Sequence, residues 1–204
     1  MTQLDAPALV GRLVRLEPLR ASHAESLAEA ATIDRSTYGY TSVPSTLDAM
    51  RAHIGTLLAE HAAGDAVPFV QVQARSGEPV GMTRFLSIRR RGGTATPYAV
   101  EIGGTWLASS AQRTGINIEA KLLLLAHAFD TWSVGRVDFK TDARNARSRA
   151  ALLGLGATFE GVLRSWQPSH APGEQDDLRD SAFYSVTNAE WPTVRDHLAR
   201  RLST

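Results

Sequence analysis

The chain has 204 residues, of which 43% are hydrophobic, enough to bury a substantial core, and its length favours one domain spanning 1–204. Lys plus Arg number 22 against 21 Asp plus Glu, a formal charge of +1, so no global field draws nucleic acid or an anionic membrane and any anion site must be local. The absence of cysteine removes disulfides, thiolate nucleophiles and Cys-based zinc sites.

Taken in chain order, Arg12-Leu13-Val14-Arg15-Leu16 reads as a short half-buried strand closed by Glu17-Pro18. Ser22, with Glu25 three residues on, is a helix N-cap, and Ala24, Leu27, Ala28 and Ala31 follow at helical spacing. Ser36 to Pro44 is a loop, and a second amphipathic helix runs from Thr46 or Leu47 to Ala62, stopped by Gly64. Val67–Ala74 and Pro79–Ile88 are strands joined by the turn Arg75-Ser76-Gly77-Glu78, and Arg89–Gly93 is a second connection leading to a strand over Tyr98–Leu107. A helix is expected over Ile118–Trp132, a strand over Arg136–Thr141, and a helix over Asn145–Leu155 ended by Gly156. Thr158–Trp166 and Ala182–Thr187 supply two more strands, separated by a mobile loop over Gln167–Asp180 with Pro, Gly and acidic residues. The pattern predicts an α+β, or α/β layered, fold with about seven strands and about four helices. The longest apolar stretch, Leu122–Phe129, is broken by His127 and too short to span a bilayer, and Met1–Val10 lacks a charged region followed by an apolar core. A soluble cytoplasmic protein is the expectation.

The stretch with most chemical content is Gln112-Arg113-Thr114-Gly115-Ile116-Asn117, a glycine-containing turn between a strand and an apolar helix. Such a turn presents unpaired N–H groups at the positive end of the helix dipole, where a phosphate or pyrophosphate fits. Equally, Gly115 alone requires no more than a tight turn. No Gly-Lys-Ser/Thr follows and the three glycines of a dinucleotide fingerprint are absent, which disfavours ATP and NAD. The histidines show no metal-ligand spacing, and no metal is implied. Arg89-Arg90-Arg91 is a short basic run that reads as a solvated turn or, as the remotest alternative, a contact for nucleic acid.

This turn, followed by Glu119-Ala120-Lys121-Leu122, then Asn145-Ala146-Arg147-Ser148 and Gly154-Leu155-Gly156-Ala157-Thr158-Phe159-Glu160-Gly161, resembles the GNAT superfamily of acyl-CoA-dependent N-acyltransferases, in its RimJ/RimL-like branch. The resemblance extends from the opening strand at Arg12 to Asp180-Ser181-Ala182-Phe183-Tyr184-Ser185 and implies a GNAT fold, a mixed, mostly antiparallel seven-stranded sheet flanked by helices. The family's pyrophosphate loop has the form Gln/Arg-x-x-Gly-x-Gly/Ala; Gln112 and Gly115 match it, while Asn117 departs with a larger side chain. By resemblance, N–H groups from Arg113 through Thr114, Gly115 and Ile116 to Asn117 hold the pyrophosphate, and the side chains of Gln112 and Arg113 add polar or ionic contact. Trp106, Leu107 and Ala108 line the pantetheine arm, which lies in a V between the strands at 98–107 and 136–141, and Asn145 touches it as well. Asn145 is also a helix cap in its own right, and Ile102 and Trp106 are also candidate core residues.

The same resemblance makes Glu101 the base that removes a proton from an amine, Ser148 the acid that protonates the departing thiolate, and Tyr38 and Tyr40 residues of the loop bordering the acceptor. Without it, Glu101 is a strand carboxylate facing solvent and the two tyrosines are loop anchors. The implied reaction is direct transfer of an acetyl group from acetyl-CoA to a primary amine, either a protein N-terminus or a small amine, without a covalent enzyme intermediate. A homodimer is implied by resemblance. Alternatives are a succinyl-CoA-dependent transferase, which an Arg or Lys near the acyl tail would favour, and a non-catalytic CoA-binding regulatory module.

Overall fold

The computed structural model describes residues 4–92, 94–174 and 176–203. Of the segments read from sequence, Met1–Gln3 at the chain start, Gly93 in the second connection, Gln175 in the acidic loop and Thr204 at the end lie outside the described residues.

The strands are β1 (Leu9–Val10), β2 (Val14–Pro18), β3 (Val67–Gln73), β4 (Pro79–Arg90), β5 (Pro97–Leu107), β6 (Arg136–Asp142), β7 (Thr158–Pro168) and β8 (Leu178–Thr187). The α-helices are α1 (Ala24–Thr32), α2 (Leu47–Ala63), α3 (Ile116–Ala126), α4 (Ala146–Leu155) and α5 (Trp191–Ser203). The strands form one sheet in the order β1-β2-β3-β4-β5-β6-β8-β7, so the GNAT-type layered fold expected from sequence is present with eight strands rather than seven and five α-helices rather than four. The additional strand, β1, is two residues long, too short to carry a period. The additional helix, α5, shows a sparse apolar stripe, Trp191, Val194 and Leu198, which is buried amid a mostly polar sequence.

Local chemistry accounts for most boundaries. Thr46 caps α2 by accepting from the Ala49 N–H at 3.2 Å, and Asn145 caps α4 by accepting from the Ser148 N–H at 3.0 Å. The expected Ser22 cap is not used: Ala21–His23 form a 3-10 turn, and α1 starts after His23, whose Nδ1 accepts from the Arg20 N–H at 3.1 Å. The helix read over 118–132 begins at Ile116 and widens into a π turn at His127–Thr131, which sets Phe129 in a stack on Trp191 and Trp132 4.6 Å from the Phe85 ring. The acidic loop is shorter than the expected 167–180, because β7 and β8 continue pairing to Pro168↔Leu178.

Successive residues of β3 point to opposite faces and feed two cores. Val67 and Phe69 join Phe85, Val100, Leu124 and Tyr184 under α3 and α5, while Val70 and Val72 join Leu27, Met50 and Ile54 under α1 and α2. Among the described residues no helix is long and apolar enough to cross a membrane.

The sheet is split at one place. Among the described residues only β5 and β6 run parallel, and they pair for three residues, Ala99↔Arg136, Val100↔Val137 and Glu101↔Asp138. Beyond Glu101, β5 continues along β4 to Leu107 while β6 continues along β8 to Asp142, so the two strands part and their facing edges are left without strand partners. A right-handed twist without a connecting ladder opens such a gap into a V.

Candidate active site

The V leads into a cavity of about 750 Å³. Of the residues singled out from sequence, Tyr38, Tyr40, Glu101, Trp106, Leu107, Gln112, Arg113, Asn117, Asn145 and Ser148 line it; Ala108, Thr114, Gly115 and Ile116 do not. Ala108 is buried, and its N–H donates to the Val80 carbonyl at 2.8 Å. Thr114, Gly115 and Ile116 instead form the backbone of the turn that edges the cavity.

That turn is built by two left-handed residues, Arg113 at φ 62° and Gly115 at φ 85°. The conformation is free for Gly115 but costs an arginine on the order of 1 kcal/mol. Its result is a run of backbone N–H groups, from Arg113 through Ile118, that meet no acceptor among the described residues; the first α3 bond in this region is from the Glu119 N–H to the Gly115 carbonyl at 3.0 Å. These donors lie at the positive end of α3, an arrangement that suits an anionic phosphate group. Two buried polar atoms beside them also lack partners, Asn117 Oδ1 and the Trp106 indole N–H. The larger Asn117 side chain thus brings an extra hydrogen-bonding group to the wall.

Gln112 is committed to protein rather than left open. Its amide N–H groups donate to Thr37 Oγ1 and the Leu107 carbonyl, both at 3.0 Å, and its oxygen accepts from Arg147 at 3.2 Å. It therefore ties the turn to the loop before α2 and to α4. The Tyr38 hydroxyl donates to the Leu107 carbonyl at 3.2 Å, and its ring meets Trp106 edge-on at 6.0 Å. Burial raises the Tyr38 pKa. Tyr38 anchors its loop as well as facing the cavity.

Glu101 sits where the strands part and is 5% exposed. Its Oε2 accepts from Ser87 Oγ at 3.1 Å and from Lys140 Nζ at 3.0 Å, while Oε1 meets no donor among the described residues. The fixed oxygen orients the carboxylate and the other is open to a proton. Next to it, three steps of β5 (Gly103 to Trp106) span the same distance as two steps of β4 (Arg84 to Met82), a bulge that includes Gly104 at φ 58°. A side chain at Gly104 would take a left-handed φ and bring its Cβ to 2.9 Å from Arg84 Nε, so glycine is the favoured residue in the bulge. Opposite, Ser148 stands in the first turn of α4, its hydroxyl without a partner among the described residues. The Asn145 amide N–H groups are likewise uncommitted.

Several residues of the site gave no local signal in sequence. Ser87 and Lys140 reach Glu101 from β4 and β6. Lys121 is buried, donating to Thr105 Oγ1 at 2.7 Å and Thr83 Oγ1 at 3.4 Å, and burial lowers its pKa to about 7. Arg144 holds Asp142 and, through two 2.8 Å bonds, Glu174 of the loop at 169–177, while its guanidinium lies 5.4 Å from the Tyr40 ring. The two loops that carry Tyr40 and Glu174 are thereby fastened to one side chain. Arg89 pairs with Asp138 and Arg90 donates to the Ala95 and Gly64 carbonyls, so two of the three arginines of the basic run are occupied within the fold. Among the described residues no group of three or more His, Asp or Glu is placed to hold a metal.

Comparison with known proteins accords with this geometry. A family model described as an acetyltransferase (GNAT) domain matches residues 13–158. A search of curated protein sequences returned no match. Among solved structures, an acetyltransferase from T. thermophilus shares 35% identity over 97% of both chains with a TM-score of 0.80. Mycobacterium smegmatis RimJ in complex with CoA-disulfide has 24% identity over 95% of this chain and 91% of its own, with a TM-score of 0.76. A RimL ribosomal alpha-N-protein acetyltransferase has 20% identity over 88% of this chain and 93% of its own, with a TM-score of 0.74. The chain belongs to the GNAT acetyltransferase family and is an N-acetyltransferase.

Proposed function

We propose that the protein transfers an acetyl group from acetyl-CoA directly to a primary amine held at the mouth of the V between β5 and β6. The observation that carries this reading is the meeting, at one cavity, of a buried carboxylate with one open oxygen and a turn whose N–H groups from Arg113 to Ile118 are uncommitted and which reaches the cavity wall at Arg113 and Asn117. Acetyl-CoA supplies an acyl group already activated as a thioester. The chain supplies the rest.

The N–H groups of 113–118 hold the pyrophosphate, and Asn117, Trp106 and Asn145 offer hydrogen bonds to the arm between phosphate and sulfur. Oε1 of Glu101 takes a proton from the attacking amine, which must be neutral to react. N–H groups of β5 around the Gly104 bulge steady the carbonyl oxygen as it gains charge. Ser148 delivers its hydroxyl proton to the leaving sulfur and regains one from solvent. Tyr38 and Tyr40, with the loop at 169–177, bound the acceptor, which is a protein N-terminus or a small amine.

The test is release of free thiol from acetyl-CoA across a panel of amines and peptides, with Glu101→Gln beside the native protein. Glu101→Gln is expected to lower kcat by about 10²- to 10⁴-fold, the range for general acid–base groups, with acetyl-CoA affinity within about twofold of native. Saturable acetyl-CoA binding with no thiol release from any acceptor would replace this reading with that of a CoA-binding module.

A further inference from the structure

Glu101 is the lone carboxylate in the described lining of the cavity, which also includes the cations Arg84, Arg113, Lys121, Lys140, Arg147 and Arg179. Arg84 is neutralised by Glu60, and Lys140 by Glu101. Arg113 and Arg147 stand with Gln112 at the pyrophosphate turn. Arg179 is different in place and in partners.

It lies on β8, where Asp142↔Ser181 marks the end of pairing with β6, and it pairs across to Gln167 of β7. Counting in twos along β8 from Phe183, which is opposite Lys140, puts Arg179 on the face that carries Lys140 and Glu101. Arg179 is 7% exposed, yet no carboxylate among the described residues lies within ion-pairing distance. Its partner is an amide: with the carboxamide oriented to face it, Gln167 Oε1 accepts from the guanidinium at 2.7 and 3.3 Å. Asp142 and Glu101 act on it through space, but each is already bound to another cation, Arg144 and Lys140. Burial lowers its pKa, with the two carboxylates opposing that effect and Arg144 adding to it. A guanidinium withdrawn from water whose one hydrogen-bond acceptor among the described residues is a neutral amide oxygen is a costly arrangement. Its planar fork suits a carboxylate.

We propose that Arg179 is the anchor of a carboxylate-binding subsite in the wall of this cavity, so that one of the two reactants carries a carboxylate. The carboxylate belongs either to the acceptor, as in an amino acid or an acidic peptide, or to the tail of a dicarboxylic acyl group. The assignment rests on the acyl-transfer reading of the cavity, and it specifies the substrate class that reading leaves open.

Three measurements separate the outcomes. With acetyl-CoA, each of the common L-amino acids is compared with its primary amide, and Ser-Glu peptides with Ser-Gln peptides. With a carboxylate-free amine, succinyl-CoA is compared with acetyl-CoA. Native protein is expected to favour the carboxylate form in one arm by roughly 10- to 100-fold in kcat/KM; Arg179→Gln abolishes the preference and Arg179→Lys retains part of it. The arm that responds identifies the reactant carrying the charge. Independently of turnover, succinate at millimolar concentration is titrated into native and Arg179→Gln protein, both checked by circular dichroism, with thermal stabilisation as the readout. Stabilisation of native protein alone supports the subsite even if no acyl-CoA binds, in which case the transferase reading falls by itself. Turnover that is indifferent to carboxylates in both arms, or a preference that survives Arg179→Gln, overturns the subsite and leaves the transferase reading intact.

Discussion

Lys121 gives the sharpest quantitative expectation. It projects from the second turn of α3 and is bonded to two threonine hydroxyls, which also bond each other at 2.9 Å, with no carboxylate among its hydrogen-bonded or ion-paired contacts. Burial moves its pKa from 10.5 to about 7. A lysine with a lowered folded-state pKa binds fewer protons folded than unfolded, so stability rises with pH between about 7 and about 10.5, and below about 7 the full penalty is present. At about 1.36 kcal/mol per pH unit the whole displacement corresponds to about 5 kcal/mol. From about pH 7 to about pH 9 the linkage relation gives a gain of about 2 kcal/mol, or about 4–8 °C in Tm for a chain of this size. Lys121→Met keeps an unbranched side chain and good helix propensity while removing the proton, and the two threonines keep each other as partners. Urea and thermal unfolding of both proteins at the two pH values is the assay. The native protein should gain that much on Lys121→Met as the pH is raised, with the variant more stable at about pH 7. Parallel pH profiles for the two proteins would refute the buried, unpaired cation on which the calculation rests.

Gly115→Asp places a side chain at φ 85° and a negative charge against the uncommitted N–H groups, so calorimetric titration should show acetyl-CoA affinity weakened by at least about 100-fold. Glu119 accepts from the backbone N–H groups of Arg12, Leu13 and Val14 at 3.0, 2.6 and 2.9 Å. Glu119→Ala leaves those donors unanswered and should cost about 3–5 kcal/mol, a Tm loss on the order of 10 °C by calorimetry. Arg144→Gln releases both Glu174 and Tyr40, and steady-state kinetics should show acceptor KM raised severalfold with acetyl-CoA binding unchanged.

How much of this was written in the sequence follows from the range of the interactions involved. The Gly115 turn, the cap at Asn145, the start of α2 near Thr46 and the stops at Gly64 and Gly156 depend on backbone and side chains within a few residues of one another, and the sequence alone determined them. Ser22 misled because two local solutions compete at that helix start, and the His23 ring provides the one adopted. The two-residue β1 and the sparsely apolar α5 have too little periodicity of their own; α5 is a helix face only because α3 and the sheet cover Trp191, Val194 and Leu198. The carboxylate proposed as the base shows the same division. Glu101 was recognisable through its family position, but its fixed oxygen is held by Ser87, 14 residues away, and by Lys140, 39 residues away. Those partners are decided by the single parallel pairing of β5 with β6 and by where it ends. Arg179 is the extreme case, since Gln167–Asp180 reads as a loop and only the continued β7–β8 pairing turns that arginine inward. Sequence determines what neighbouring residues do to one another; the buried charges and open strand edges that chemistry needs come from strands that meet across the whole chain.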